Sequence, residues 1–398
     1  MTRIRLLAAR SGVIVAAAVL LTGMAAGLAA ATPAAAAQAR PQAPRVAIPF
    51  GGQLNGAAVT TGGIAWAVGY TPGEALAQRW NGKAWTWESA LAVGGTDSDF
   101  YSVAAISPAN AWAVGYTPSA SANVPLIAHW NGTAWKQVHS PNPGPDGTLL
   151  SGVAAVSADD AWAVGQTGTE RSVTLHWNGK AWTRVSSPSP GSDDELFAVA
   201  ATSASNAWAV GETDDDAVIH TLILHWNGKA WSQVSSPSPT PTGDFLYGVT
   251  ATSATNAWAV GYSTVYSEGW QTLILHWNGK AWTQVPSPDP VKVSSTELTW
   301  NVLQGVAATS AGNAWAVGYD ETAAGGSKTM IFHWNGKAWA QVTSPNPFCA
   351  TCDSLYGVAA ASAGSAWAVG TVNMGAEVVI LHWNGTRWVN STSATPPD

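Results

Sequence analysis

The chain repeats itself seven times, and tryptophan marks the repeat. The string A-W-A-V-G recurs with its Trp at 66, 112, 162, 208, 258, 315 and 367. W-N-G recurs with its Trp at 80, 130, 177, 226, 277, 334 and 383. Another Trp stands five residues beyond each of these, at 85, 135, 182, 231, 282, 339 and 388, so 21 of the 24 Trp belong to the repeat. A period near fifty with several short strands in each copy is the mark of a ring of small sheets, a β-propeller.

One copy shows the strands clearly. The pattern predicts strand a over Leu246 to Thr252, b over Ala257 to Tyr262, c over Thr272 to Trp277 and d over Ala281 to Pro286. Asn278-Gly279 between c and d reads as a two-residue hairpin turn with both residues at positive φ. Strand a carries Gly, Val and Ala, which suits crowding near an axis. The outer strands carry Trp, Leu and Ile, which fill the widening gaps between twisted sheets. The fold class expected is all-β: a seven-bladed β-propeller with four antiparallel strands per blade, over residues 52–394. Residues Val46 to Phe50 read as a faint extra strand d, and 395–398 as a tail.

Val260-Gly261, then Ile274-Leu275-His276-Trp277-Asn278-Gly279, then Trp282-Thr283-Gln284-Val285-Pro286, resembles the kelch repeat. That family has a glycine pair after strand b, an aromatic leading a turn, a Trp, and a short strand ending in Pro. The second glycine is replaced here by Tyr70, Tyr116, Gln166, Glu212, Tyr262, Tyr319 and Thr371. The resemblance implies a secreted bacterial kelch-like propeller, a scaffold that hosts both enzymes and binding proteins. The His and Tyr ligands of copper-dependent kelch-like oxidases cannot be matched residue by residue.

Arg3, Arg5 and Arg10 precede an apolar run from Ser11 to Ala31 that ends in small residues, the layout of a cleavable secretory signal over 1–37, with 38–51 as a linker. The expectation is a secreted extracellular monomer with no membrane attachment after cleavage. Removing three of the 17 basic residues and none of the 24 acidic ones leaves 14 − 24 = −10, which argues against nucleic acid. Cys349 and Cys352 in that compartment read as a loop-closing disulfide.

The copies also compare their own connections. The a–b and c–d spacings are constant, whereas the two Trp that bracket the b–c connection lie 14 to 19 residues apart. The d–a connection varies as well. In an up-and-down sheet both variable connections emerge at one end, and 20 of the 24 acidic residues fall within them. Lys83, Lys180, Lys229, Lys280 and Lys337 sit on the opposite c–d turns. Loops on a rigid scaffold carry function, so the acidic, variable face is the expected working face.

Its candidates are of three kinds. Tyr266, Trp270 and Trp300 offer aromatic platforms for a sugar ring, alongside the aromatics Phe100, Tyr101, Phe197, Phe245, Tyr247 and Phe348. The carboxylates are Asp193, Asp194, Asp244 and Asp353. Asp193-Asp194-Glu195 and Asp214-Asp215-Asp216 are oxygen-rich enough to suggest Ca²⁺, though no spaced calcium motif is present. The six His of H-W-N-G (His129, His176, His225, His276, His333, His382) lie one per blade, too far apart for one ion, and read as a repeated structural hydrogen bond. No catalytic constellation and no metal ligand set emerges. The expected function is a recognition module for a glycan or an extracellular protein. The rivals are a polysaccharide-active enzyme, using carboxylates such as Asp193, Asp244, Glu297 or Asp353, and a non-catalytic scaffold.

Overall fold

The computed structural model describes residues 51–393, apart from 91–92, 216–217, 266–268, 291–297, 323–325, 348–351, 373–374 and 376. The signal segment and the extra strand expected at Val46 to Phe50 lie outside this range. Among the described residues there are 28 strands, and each copy of the repeat becomes one four-stranded antiparallel meander. Five meanders are separate sheets. The fifth and sixth are joined into one eight-stranded sheet by two parallel pairs, Gly269↔Thr299 and Trp270↔Trp300.

The first strands stand side by side around an axis. Each packs against the first strand of the next copy, and Gln53–Val59 packs against Asp353–Ser362, which closes the array. The approach is backbone to backbone: a Cβ on Gly152 would lie 2.9 Å from Ala198 Cα, so that position holds glycine.

Further out, tryptophan fills the gaps in triads. Trp258 of strand b lies 4.8 Å from Trp334 and 5.2 Å from Trp339, both in the next copy, the latter edge-on at 88°. The same triad recurs around the ring and ends with Trp367 on Trp80 and Trp85. Burying one such indole contributes about 5 kcal/mol at ~25 cal/mol per Å². That exceeds the ~1–3 kcal/mol for leaving an indole N–H without an acceptor, as at Trp258 Nε1. The burial term therefore decides the arrangement.

The His residues bear out the structural reading. His276 stacks on Trp258 at 4.2 Å, and its Nε2 donates to Asn256 Oδ1 over 2.9 Å. Four other copies use the equivalent Asn or Asp, and the seventh uses Ser365. In the first copy Arg79 takes the place of histidine, with its guanidinium 5.8 Å from the centres of Trp66 and Trp130.

Two local expectations are corrected. The c–d hairpin is a four-residue loop, because Trp277 pairs directly with Trp282. Gly279 has φ +90°, but Asn278 is not in the left-handed region. Asn278 Oδ1 instead accepts from the N–H groups of Lys280 and Ala281, at 3.0 and 3.1 Å.

Strand lengths also differ. In the fifth copy, strands a, b and c run longer at the variable end, as Asp244–Ser253, Asn256–Val265 and Gly269–Trp277. Strand d is only Trp282–Gln284. One further backbone bond follows it, from Val285 N to Ile274 O at 2.9 Å. The following Ser287-Pro288-Asp289 strap is pinned sideways to strand c instead. Thr272 Oγ1 contacts Ser287 Oγ at 2.5 Å, and Thr272 N donates to Asp289 Oδ1 at 2.8 Å.

Candidate functional site at the mouth of the ring

The longer strands turn many residues expected in loops into strand residues, and period-two alternation then decides where each points. Asp193–Ser203 pairs with Asn206–Asp215 so that Asp193 opposes Asp214 and Glu195 opposes Glu212. These four lie on one half-exposed face, while Asp194 and Thr213 lie buried on the other. The run Asp193-Asp194-Glu195 is thus split between two faces. Among the described residues no three acidic, His or Cys side chains converge as a metal site.

Asp194, Asp244 and Asp353 are each wholly buried, which corrects their expected role as surface ligand groups. All three stand 14 residues before their strand-b Trp, at the start of strand a: Asp244 and Asp353 are first in their strands and Asp194 is second. Asp194 accepts from Ser189 Oγ (2.7 Å), Gly191 N (3.0 Å) and Thr213 Oγ1 (2.6 Å), with Arg171 Nη1 at 3.4 Å. Asp244 accepts from Ser238 Oγ (2.8 Å) and Thr240 N (3.0 Å). A carboxylate enclosed by its own loop's donors anchors that loop. Asp353 holds the same repeat position.

The aromatic candidates divide similarly. Phe100 is a core residue packed among the inter-sheet tryptophans. Trp270 and Trp300 lie in strands rather than loops, and the structure brings them together. Trp270 is half-exposed and stacks on Tyr262 at 4.5 Å and 20°, and Trp300 meets it edge-on at 6.2 Å. Phe197, Phe245, Tyr247 and Tyr319 complete this cluster. Tyr266, Phe348 and Cys349 lie outside the described residues, and Cys352 is disulfide-bonded.

The sequence reading notes one tyrosine position of the repeat, where Tyr70, Tyr116, Tyr262 and Tyr319 replace a glycine, but misses a second. Seven of the eight Tyr occupy only two repeat positions. Tyr70, Tyr116, Tyr262 and Tyr319 come four residues after the strand-b Trp. Tyr101, Tyr247 and Tyr356 come eleven before it, each bulged out of register in strand a. Residues at these positions meet both within a copy, as Tyr101 and Tyr116 do, and between neighbouring copies, as Tyr319 and Tyr356 do. Tyr101 stacks on Tyr116 at 5.8 Å, Phe197 packs on Tyr247 at 4.9 Å, and Tyr319 meets Tyr356 at 6.4 Å. The signal was in the chain as the recurrence of one residue type at fixed offsets.

The mouth is electrostatically tense. Burial, followed by the charges of Glu195, Asp193, Asp214 and Glu170, pushes the Glu212 carboxyl well above the usual range. Glu195 Oε1 accepts from Gln166 Nε2 of the preceding copy at 2.6 Å. Across the ring, burial raises Asp99 to about 6 despite a hydrogen bond with Tyr116. Burial and the nearby Tyr70 bring Tyr356 to about 12, and burial also raises Tyr262 and Tyr319. Outside the acidic ribbon runs a groove of about 290 Å³ lined by Asp215, His220, Thr221, Gln233, Ser236 and Ser238.

The fold is that of a β-propeller. It is similar to YCF48 from Cyanidioschyzon merolae, with a TM-score of 0.54 and 16% identity over 86% of this chain and 98% of that one. It is similar to YCF48 bound to a D1 peptide (0.52, 14%, over 85% and 95%). It is also similar to a polysaccharide lyase of family PL25, an ulvan lyase (0.57, 10%, over 88% and 100%). At these identities the likeness is one of fold. No family profile matches the sequence, and no curated protein is similar to it.

Proposed function

We propose that the chain is a secreted, monomeric seven-bladed β-propeller that recognises a glycan or an extracellular protein on its variable face, with Cys349 and Cys352 paired there. The observation that carries this reading is the stack of half-exposed Trp270 on Tyr262, beside Trp300 and within the same mouth as the acidic ribbon. A preformed aromatic step next to hydrogen-bonding carboxylates is the usual make-up of a ligand surface. The hydroxyl-rich groove supplies further polar partners. Propellers of similar outline include one solved with a peptide and one polysaccharide lyase, so the scaffold is compatible with recognition of either kind of ligand.

The test is a glycan array and a panel of extracellular proteins probed with the wild type and with Trp270→Ala. Binding that Trp270→Ala removes without lowering the melting temperature supports the reading. A blank array and panel reject it. A second reading, cleavage of an extracellular polysaccharide, is favoured by the Glu195–Glu212 pair, in which a carboxyl that burial pushes well above its usual range faces a second one. Release of reducing or unsaturated ends that Glu212→Gln abolishes would select it.

A further inference from the structure

Among the described residues, carboxylates oppose carboxylates across strands at one place in the ring. The equivalents of the Glu195–Glu212 pair are Gln53–Tyr70, Asp99–Tyr116, Leu149–Gln166, Phe245–Tyr262, Val302–Tyr319 and Ser354–Thr371. Like charges directly opposite weaken a sheet, and here two such pairs follow each other on one face, Asp193–Asp214 and Glu195–Glu212. Moreover, Glu212 Oε2 is buried and meets no hydrogen-bond donor among the described residues. A buried oxygen without a donor, set among four other carboxylates, is a site built for a cation supplied from outside.

We propose that this ribbon is a docking strip for an extended segment of a partner protein that carries two basic side chains two residues apart. The inference rests on the recognition reading and names the ligand for one part of the mouth. The spacing favours a peptide. Asp193 and Glu195 are two residues apart, as are Glu212 and Asp214, so the two carboxylate pairs stand about 6.8 Å apart along the strands. Side chains i and i+2 of an extended peptide repeat at the same ~6.8 Å. Two ammonium or guanidinium groups can therefore each meet one carboxylate pair. The repeat of an amino-sugar polymer is set by its ring and linkage and has no reason to match. Each basic group also relieves the repulsion within the pair it meets, and Glu212 Oε2 gains its missing donor.

The probe is a fluorescein-labelled hexapeptide of alternating Lys and Thr, compared with an isomer whose lysines are contiguous and with a fully deacetylated chitin oligomer. Fluorescence anisotropy with the whole protein is expected to show at least tenfold tighter binding of the alternating peptide, weakening as salt is added. The double variant Glu212→Gln/Asp214→Asn should lose at least tenfold in affinity while its melting temperature rises, because repulsion is removed. Asp159→Asn, on an exposed a–b turn, should change neither. Equal affinity for the two peptide isomers, indifference to the double variant, or preference for the sugar oligomer overturns the proposal. Failure of the peptide alongside retained Trp270-dependent binding of another ligand rejects this strip and leaves the recognition reading standing.

Discussion

Trp367 meets Trp85 edge-on, with ring centres 5.0 Å apart and planes at 83°, although one indole belongs to the last copy of the repeat and the other to the first. Among the described residues, the seam repeats the Trp contact found between every other pair of neighbours. Two hydrogen bonds support it, from Gly52 N to Gly375 O and from Thr371 Oγ1 to Gly52 O.

Trp85→Ala is therefore expected to destabilise the protein by about 3–5 kcal/mol, the usual effect of deleting a buried aromatic. Hydrogen exchange should accelerate first in the opening and closing copies. Uniform acceleration around the ring would show that the seam is not where opening begins.

The stacked histidines predict acid sensitivity. Burial lowers the pKa of His129, His225, His276, His333 and His382. A base depressed in the fold contributes stability that is fully present above its unfolded value of about 6.5 and is lost as pH falls through the folded value. The urea midpoint should drop between pH 7.5 and 5, and by less in His276→Gln, which keeps a donor for Asn256. Identical slopes for the two proteins would discount the histidines.

Asp99 works in the opposite direction. Its folded pKa is raised to about 6. Its contribution is therefore fully present below the unfolded value of about 3.9 and is lost as pH rises through about 6. Asp99→Asn should raise the melting temperature at pH 7.5 and leave it nearly unchanged at pH 4. A carboxyl titration of Asp99 near 4 by NMR would contradict this.

Asp244 is a loop anchor, so Asp244→Ala should cost about 1–3 kcal/mol by leaving Ser238 and Thr240 donors unpaired. Asp244→Asn should cost less, and any loss of ligand binding should track the loss of folded protein. A variant that stays fully stable and loses binding would return Asp244 to the ligand surface.

The chain announces its architecture because each tryptophan spacing is set by a contact repeated around the ring. Trp277 and Trp282 keep their five-residue offset in every copy, and Trp258 keeps its nine-residue distance from the third residue of strand a, Val249. The strand ends were less legible. Gly269 and Trp270 extend the b–c hairpin against Val265 and Thr264, and their further pairing with Thr299 and Trp300 joins positions distant in sequence, so local composition reads all four as loop. Asp194 and Asp244 were misread because acidity suggests solvent, whereas their shared offset from the strand-b Trp marks a structural position. The Tyr positions carried a similar internal signal. What links Tyr319 to Tyr356, however, is curvature around the axis, which no single copy displays.

The parallel pairing of Trp270 with Trp300 merges the fifth and sixth copies into one continuous sheet, whereas other neighbours meet through side chains and isolated backbone bonds such as Asp97 N to Gly73 O and Asp194 N to Glu170 O. Thermal breathing of the wheel then concentrates at the remaining spokes. On the recognition reading, a ligand would find the aromatic shelf already ordered and would lose little entropy in fixing it.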